Sequence, residues 1–280
     1  MTYSKPILEF KTRSKPEDAV LSLCGTGPNG AVQVAPLHEI GSDFIDRLSR
    51  INIISGSTFS YFVWLALREE KLKFQYFANF DAVNRTLHGA SFTKGLGHFA
   101  RWRPWKSQLY PNDFLIRTMQ YLLEDSFLYT PLKNLSSNLV FWSYCQRRKS
   151  LVEISSQRDE FKEMNVIDLV RASISLDILH GCYEYGDYQF VDPNYSPVAK
   201  ELRRILYRTD KNHLLLNHIK ECYSRNHILA KHRHDKYPNV VMLRDLITFC
   251  LNLKNRDIQQ THESILRLPI ERKQWQAERI

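Results

Sequence analysis

Leu21-Ser22-Leu23-Cys24-Gly25-Thr26-Gly27-Pro28-Asn29-Gly30 is the stretch on which the fold turns. An apolar run of β type ends there in a glycine-rich turn, and Ala31 to Ile40 follows with helical character. The pattern then repeats. Ile51-Asn52-Ile53-Ile54 reads as a second strand, Ser55-Gly56-Ser57-Thr58-Phe59-Ser60 as a turn, and Tyr61 to Arg68 as an apolar helix. Two strand–turn–helix units in succession put backbone N–H groups and a hydroxyl at neighbouring helix N-termini. Acyl-transfer chemistry needs that geometry, an oxyanion site beside a nucleophile.

Alternation of strand and helix from about 20 to 70 predicts a mainly parallel sheet with helices on both faces, an α/β fold. Residues 1–19 mix Lys, Ser, Pro and Glu and read as a flexible N-terminal arm. From 71 to 135 the pattern breaks into interleaved aromatic and basic residues, including His98-Phe99-Ala100-Arg101-Trp102-Arg103-Pro104-Trp105-Lys106, and an amphipathic helix is expected over Asp113–Leu123. This region reads as an insertion capping the sheet. Leu139–Tyr144 and Leu151–Ile154 flank a basic turn and predict a hairpin. Asn165–Leu179 reads as a helix and Tyr188–Val191 as a strand stopped by Asp192-Pro193-Asn194. Ser196-Pro197 opens a helix to about Tyr207. Residues 211–265 read as helical and polar, and 266–280 as a charged tail. One domain over 20–265 follows.

The length of 280 residues and 43% apolar content suffice for a sizeable core. A net charge of +9 favours anionic partners, either an anionic membrane surface or an acidic carrier protein. Cys24, Cys145, Cys182, Cys222 and Cys250 are odd in number, spread out and without a CxxC pair, which predicts reduced thiols and a cytoplasmic setting. No apolar run reaches the roughly 18 residues of a membrane span, so membrane contact is expected to be peripheral.

In the order of their motifs these residues resemble the patatin-like acyl hydrolases. That family has a glycine-rich turn after its first strand, here Gly25-Thr26-Gly27-Pro28-Asn29-Gly30. It then has a GxSxG nucleophile elbow, here Gly56-Ser57-Thr58-Phe59-Ser60. Later come a helix rich in alanine and serine, here Val170-Arg171-Ala172-Ser173-Ile174-Ser175, and a strand ending in Asp-Gly-Gly or Asp-Gly-Ala, here Asp192-Pro193-Asn194. The likeness covers about 20–70 and 138–200. It implies a patatin-like fold and a hydrolase or acyltransferase of lipid metabolism, such as a phospholipase, acting on a lipid ester or acyl thioester without a cofactor. The implied catalytic dyad is Thr58 as nucleophile and Asp192 as base, with Gly25, Thr26, Gly27, Asn29 and Gly30 forming the oxyanion hole.

The departures are as specific as the matches. Threonine stands where the family has its serine, Ser60 where the elbow closes with glycine, Asn29 where the turn has arginine, and Pro193 where glycine follows the acid. Threonine is β-branched and resists an elbow conformation. Ser57 adjoins it and would supply a hydroxyl if the turn shifted by one residue. Two functional classes therefore stand open: an active Thr or Ser enzyme, and a pseudoenzyme that binds an acyl chain, an acyl carrier or a partner protein without turnover.

Other constellations are weaker. His213, His218, His227, His232 and His234 with Cys222 lack metal-site spacing and sit among Lys231, Arg233 and Lys236, so a solvated basic segment is the reading and no metal is expected. The aromatics of 98–106 would stack nucleic-acid bases or meet a lipid surface, but an insertion packing its own aromatics is favoured and nucleic acid is disfavoured. Glu184, Asp177 and Asp187 flank the Asp192 strand. Asp187 falls in a turn by composition, which makes it a poor alternative base.

Overall fold

The apolar runs of the sequence assemble into a seven-stranded sheet, seen in a computed structural model that describes residues 5–25, 33–71, 119–120, 123–175, 181–206 and 212–216. β1 (Val20–Leu23), β2 (Arg50–Ile54), β3 (Leu139–Cys145) and β7 (His213–Leu216) run parallel in the order β3-β2-β1-β7. β4 (Ser150–Ile154) and β6 (Tyr188–Val191) join β3 antiparallel, and β5 (Tyr183–Tyr185) closes on β6. The fold is mixed α/β with a mostly parallel sheet.

Seven α-helices lie among the described residues: α1 (Lys5–Arg13), α2 (Val34–Ile40), α3 (Ser42–Ile45), α4 (Ser57–Arg68), α5 (Asp125–Leu128), α6 (Val166–Ile174) and α7 (Ala199–Leu206). One sheet face, carrying Leu21, Leu23, Ile51, Ile53, Leu139 and Phe141, joins the main core with α1, α2, α4 and α6. The other face, carrying Cys24, Ile54, Val140, Trp142 and Leu215, is met by Leu202 and Leu206 of α7. Helices thus stand on both faces, as expected.

The second face is also where buried polar residues interrupt the apolar strands. Asn52 Nδ2 donates to Ser22 Oγ at 3.0 Å, and Asn52 Oδ1 accepts from Arg50 Nε and from the Trp142 indole. His213 Nε2 lies 2.8 Å from Ser22 Oγ. Each strand interior therefore keeps its polar groups satisfied by a cross-strand partner, which offsets the cost of burying them.

α4 positions the site. Its sequence, Ser-Thr-Phe-Ser-Tyr-Phe-Val-Trp-Leu-Ala-Leu-Arg, is apolar nearly all round, and such a helix belongs inside. Phe62 stacks on Phe141 of β3 with centroids 5.6 Å apart and meets Phe127 of α5 edge-on. Those contacts fix the height of α4 over the sheet. α6 is anchored by a capping box: Asn165 Oδ1 accepts from Asp168 N–H at 3.0 Å, and Asp168 Oδ2 accepts from Asn165 N–H at 3.1 Å.

Several expectations change here. Residues 5–13 are not part of a loose arm but a helix that buries Ile7 and Phe10 in the core. Residues 213–216 are not helical: they form β7, which pairs along β1. The helices start later or earlier than read, α2 at Val34 and α4 at Ser57, and α6 ends at Ile174. The hairpin and the Tyr188–Val191 strand stand where expected. The 98–106 aromatics, most of Asp113–Leu123, His218, Cys222, His227, His232, His234, Asp177 and the 266–280 tail lie outside the described residues. Among those that are described, no helix is long and apolar enough to cross a membrane.

Candidate active site

The pairing of β3 decides where the site forms. β4 occupies one edge of β3 along Phe141–Cys145. A strand has two edges, so β2, paired at Leu139–Trp142, and β6, paired at Tyr144–Cys145, share the other. β2 runs parallel to β3 and β6 antiparallel. They therefore approach C-terminus to C-terminus, with Ile54 opposite Trp142, Val191 opposite Tyr144 and only Ser143 between. The next residue of each strand is Ser55 and Asp192. Ser55 Oγ donates a hydrogen bond to Asp192 Oδ2.

Ser55 carries a second mark. It adopts φ +55°, one of three non-glycine residues with positive φ among those described. It stands directly between β2 and α4. A left-handed residue between a strand and a buried helix is the geometry of a nucleophile elbow, and such a conformation costs on the order of 1–3 kcal/mol unless its surroundings enforce it. Serine, without β-branching, accepts it better than threonine does. The N-terminus of α4 points at the same place and favours negative charge there.

Asp192 is held from three sides. Its N–H donates to Ser175 O at the end of α6 at 2.6 Å. Its Oδ1 accepts from Asn194 N–H at 2.9 Å, making Asp192 the cap of a 3-10 turn over Pro193–Tyr195. Ser143 Oγ shares its proton between Ala172 O at 2.6 Å and Val191 O at 3.0 Å, which ties α6, β3 and β6 together beneath it. Pro193 takes the first position of the turn, where no N–H is needed. Burial pushes the Asp192 carboxyl up to about 7, against the opposing hydrogen bonds from Ser55 and Asn194. A carboxylate with that affinity is a far better proton acceptor near neutrality than an ordinary aspartate.

The glycine turn begins beside this pair. A methyl on Gly25 would lie 2.9 Å from Ser55 Cβ and 3.2 Å from Ser55 Oγ, and would collide with Asn194 Nδ2. The turn is cinched at both ends: Gln33 Nε2 donates to Cys24 O and to Leu216 O, each at 3.0 Å, and Ser57 Oγ also donates to Cys24 O. Ser57 thus spends its proton on shaping the turn. Thr26, Gly27, Asn29 and Gly30 lie outside the described residues.

Thr58 makes no hydrogen bond to Asp192. It lies in the first turn of α4, its N–H donates to Ser55 O at 3.0 Å, and its buried Oγ1 has no hydrogen-bond partner among the described residues. The expectation counted the elbow from Gly56, whereas the strand ends at Ile54 and the strained residue follows at once. The missed signal was a serine immediately after an apolar β run. Among the described residues no three His, Cys, Asp or Glu side chains gather as a metal site.

Gly25→Ala is expected to fold and, should the Ser55 hydroxyl be the reacting group, to lose reactivity there. The Asn194 amide can swing aside, but Ser55 Cβ sits on enforced backbone and cannot. A drop of at least about tenfold in labelling by an active-site probe is expected, with a stability loss of about 1–3 kcal/mol from overpacking. Wild-type reactivity in the variant would show that the reacting group is not Ser55, which the added methyl crowds.

Comparison with known proteins gives no match, either to a family model or to a curated sequence.

Proposed function

We propose that this chain is an acyl hydrolase or acyltransferase that works through a Ser55–Asp192 dyad on a lipid ester or acyl thioester. One observation carries the reading: a serine in left-handed conformation at a strand–helix junction, hydrogen-bonded to a buried aspartate whose proton affinity sits near neutrality. Asp192 accepts the Ser55 proton as Oγ bonds to the substrate carbonyl carbon, and the carbonyl electron pair moves onto its oxygen. Collapse expels the leaving alkoxide or thiolate, which takes the proton from Asp192. Water or an acceptor alcohol then resolves the acyl-serine by the same steps. Lipid and acyl-carrier substrates are supported by the likeness of the glycine turn and of the Asp192 strand to patatin-like enzymes, and by the basic charge of +9.

A fluorophosphonate probe with mass mapping of the adduct tests this without knowledge of the natural substrate. The adduct is expected on Ser55. Its rate should rise about tenfold between pH 6 and pH 8, as Asp192 ionises. A folded protein that takes no adduct, yet retains an acyl chain, would instead support the non-catalytic binding class.

A further inference from the structure

We propose that the side-chain amide of Asn194 is an oxyanion donor of the Ser55 site. The proposal rests on the acyl-transfer reading above. Asn194 does two things with two different groups. Its backbone N–H caps Asp192 Oδ1 at 2.9 Å. Its side chain reaches Gly25, where Nδ2 intrudes on the space a methyl on that glycine would need. Ser55 Oγ lies 3.2 Å from where the Gly25 methyl would sit, so amide and hydroxyl both border that one small space. The absence of a side chain at Gly25 is therefore what lets the amide stand beside the Ser55 hydroxyl.

The neighbouring hydroxyls do not fill this role. Ser57 donates to Cys24 O, and Thr58 lies within the first turn of α4. Asn194 is solvent-exposed while Ser55 and Asp192 are buried, so it links the buried pair to the surface. A primary amide carries two N–H donors, enough to hold a developing oxyanion. One position of the glycine-rich stretch cannot contribute a backbone donor. Pro28, in the middle of the glycine turn, has no N–H to give. Asn194 forms and breaks no bond: as the Ser55 Oγ–carbon bond forms and its proton passes to Asp192, the amide donates hydrogen bonds to the oxygen that gains the electron pair.

The test measures phosphonylation of the full chain by a fluorophosphonate, comparing wild type with Asn194→Ala and with Asn194→Leu, which keeps the shape but has no donor. Each variant retains the backbone N–H that caps Asp192. Both are expected to label Ser55 about 100-fold more slowly, in the range found when one oxyanion donor is removed, with the pH midpoint still near 7. Labelling of either variant within threefold of wild type overturns the proposal. So does a slow variant whose pH midpoint and melting temperature have both moved, because that marks a structural role in the turn. A wild-type chain that takes no adduct on Ser55 removes the acyl-transfer reading and this inference with it. A labelled Ser55 with unimpaired Asn194 variants removes the inference alone.

Discussion

Ser55→Ala is expected to abolish fluorophosphonate labelling and any ester or thioester turnover, a loss of at least about 10⁴-fold. In the proposed mechanism the hydroxyl is the attacking group, and no neighbour replaces it. Ser57 is committed to Cys24 O, and Thr58, within the first turn of α4, makes no hydrogen bond to Asp192. The companion variant is Thr58→Val. It keeps the β-branched shape and removes a buried hydroxyl that has no partner among the described residues. It should label at close to the wild-type rate and gain on the order of 1 kcal/mol in stability, because an unsatisfied buried hydroxyl is costly and a methyl group there is not. The opposite pattern, with Ser55→Ala labelled and Thr58→Val silent, would return the nucleophile to Thr58.

Asp192→Asn is the second large effect. An amide cannot take the serine proton, so labelling should fall by about 10³–10⁴-fold, the range of a lost general base. Stability should move the other way. The ordinary aspartate value of 3.8 rises to about 7 in the fold because the carboxyl is buried. Below 3.8 the folded and unfolded chains both hold the proton and there is no penalty. Between 3.8 and 7 the native state holds a proton that the unfolded state has released, so stability falls as pH rises. Above 7 the full cost of the buried charge remains, on the order of a few kcal/mol. The asparagine variant escapes it. Its melting temperature, measured against wild type across this range, should draw ahead as pH rises and level off above neutrality. Equal melting temperatures at pH 5 and pH 8 would show that Asp192 is not held as a strained base.

Much of the frame was legible in the chain. The runs at 21–23 and 51–54, the hairpin at 139–154 and the strand at 188–191 are apolar segments bounded by turn residues, and local composition suffices to find them. Other elements were hidden for identifiable reasons. His213-Leu214-Leu215-Leu216 is a short apolar run, and periodicity cannot separate a buried strand from a helix over so few residues. The helix at 5–13 was masked by its basic and polar residues, although Ile7 and Phe10, three apart, form the buried side.

The site divides the same way. The sequence by itself determined that glycine-rich turns follow two parallel strands, that a hydroxyl stands at the second, and that Asp192 closes a later strand. It pointed to Thr58, or to Ser57 one residue back, and passed over Ser55, the residue that is hydrogen-bonded to that aspartate. That choice depends on where β2 stops and on an arrangement no local pattern encodes, in which β2 and β6 enter the same edge of β3 from opposite ends and halt on either side of Ser143. Ser55 and Asp192, 137 positions apart and one residue beyond the ends of two strands that each pair with β3, meet through a side-chain hydrogen bond. Only the packed sheet supplies that contact, because backbone hydrogen bonding along β3 sets the register and burial in the assembled fold raises the proton affinity of the carboxylate.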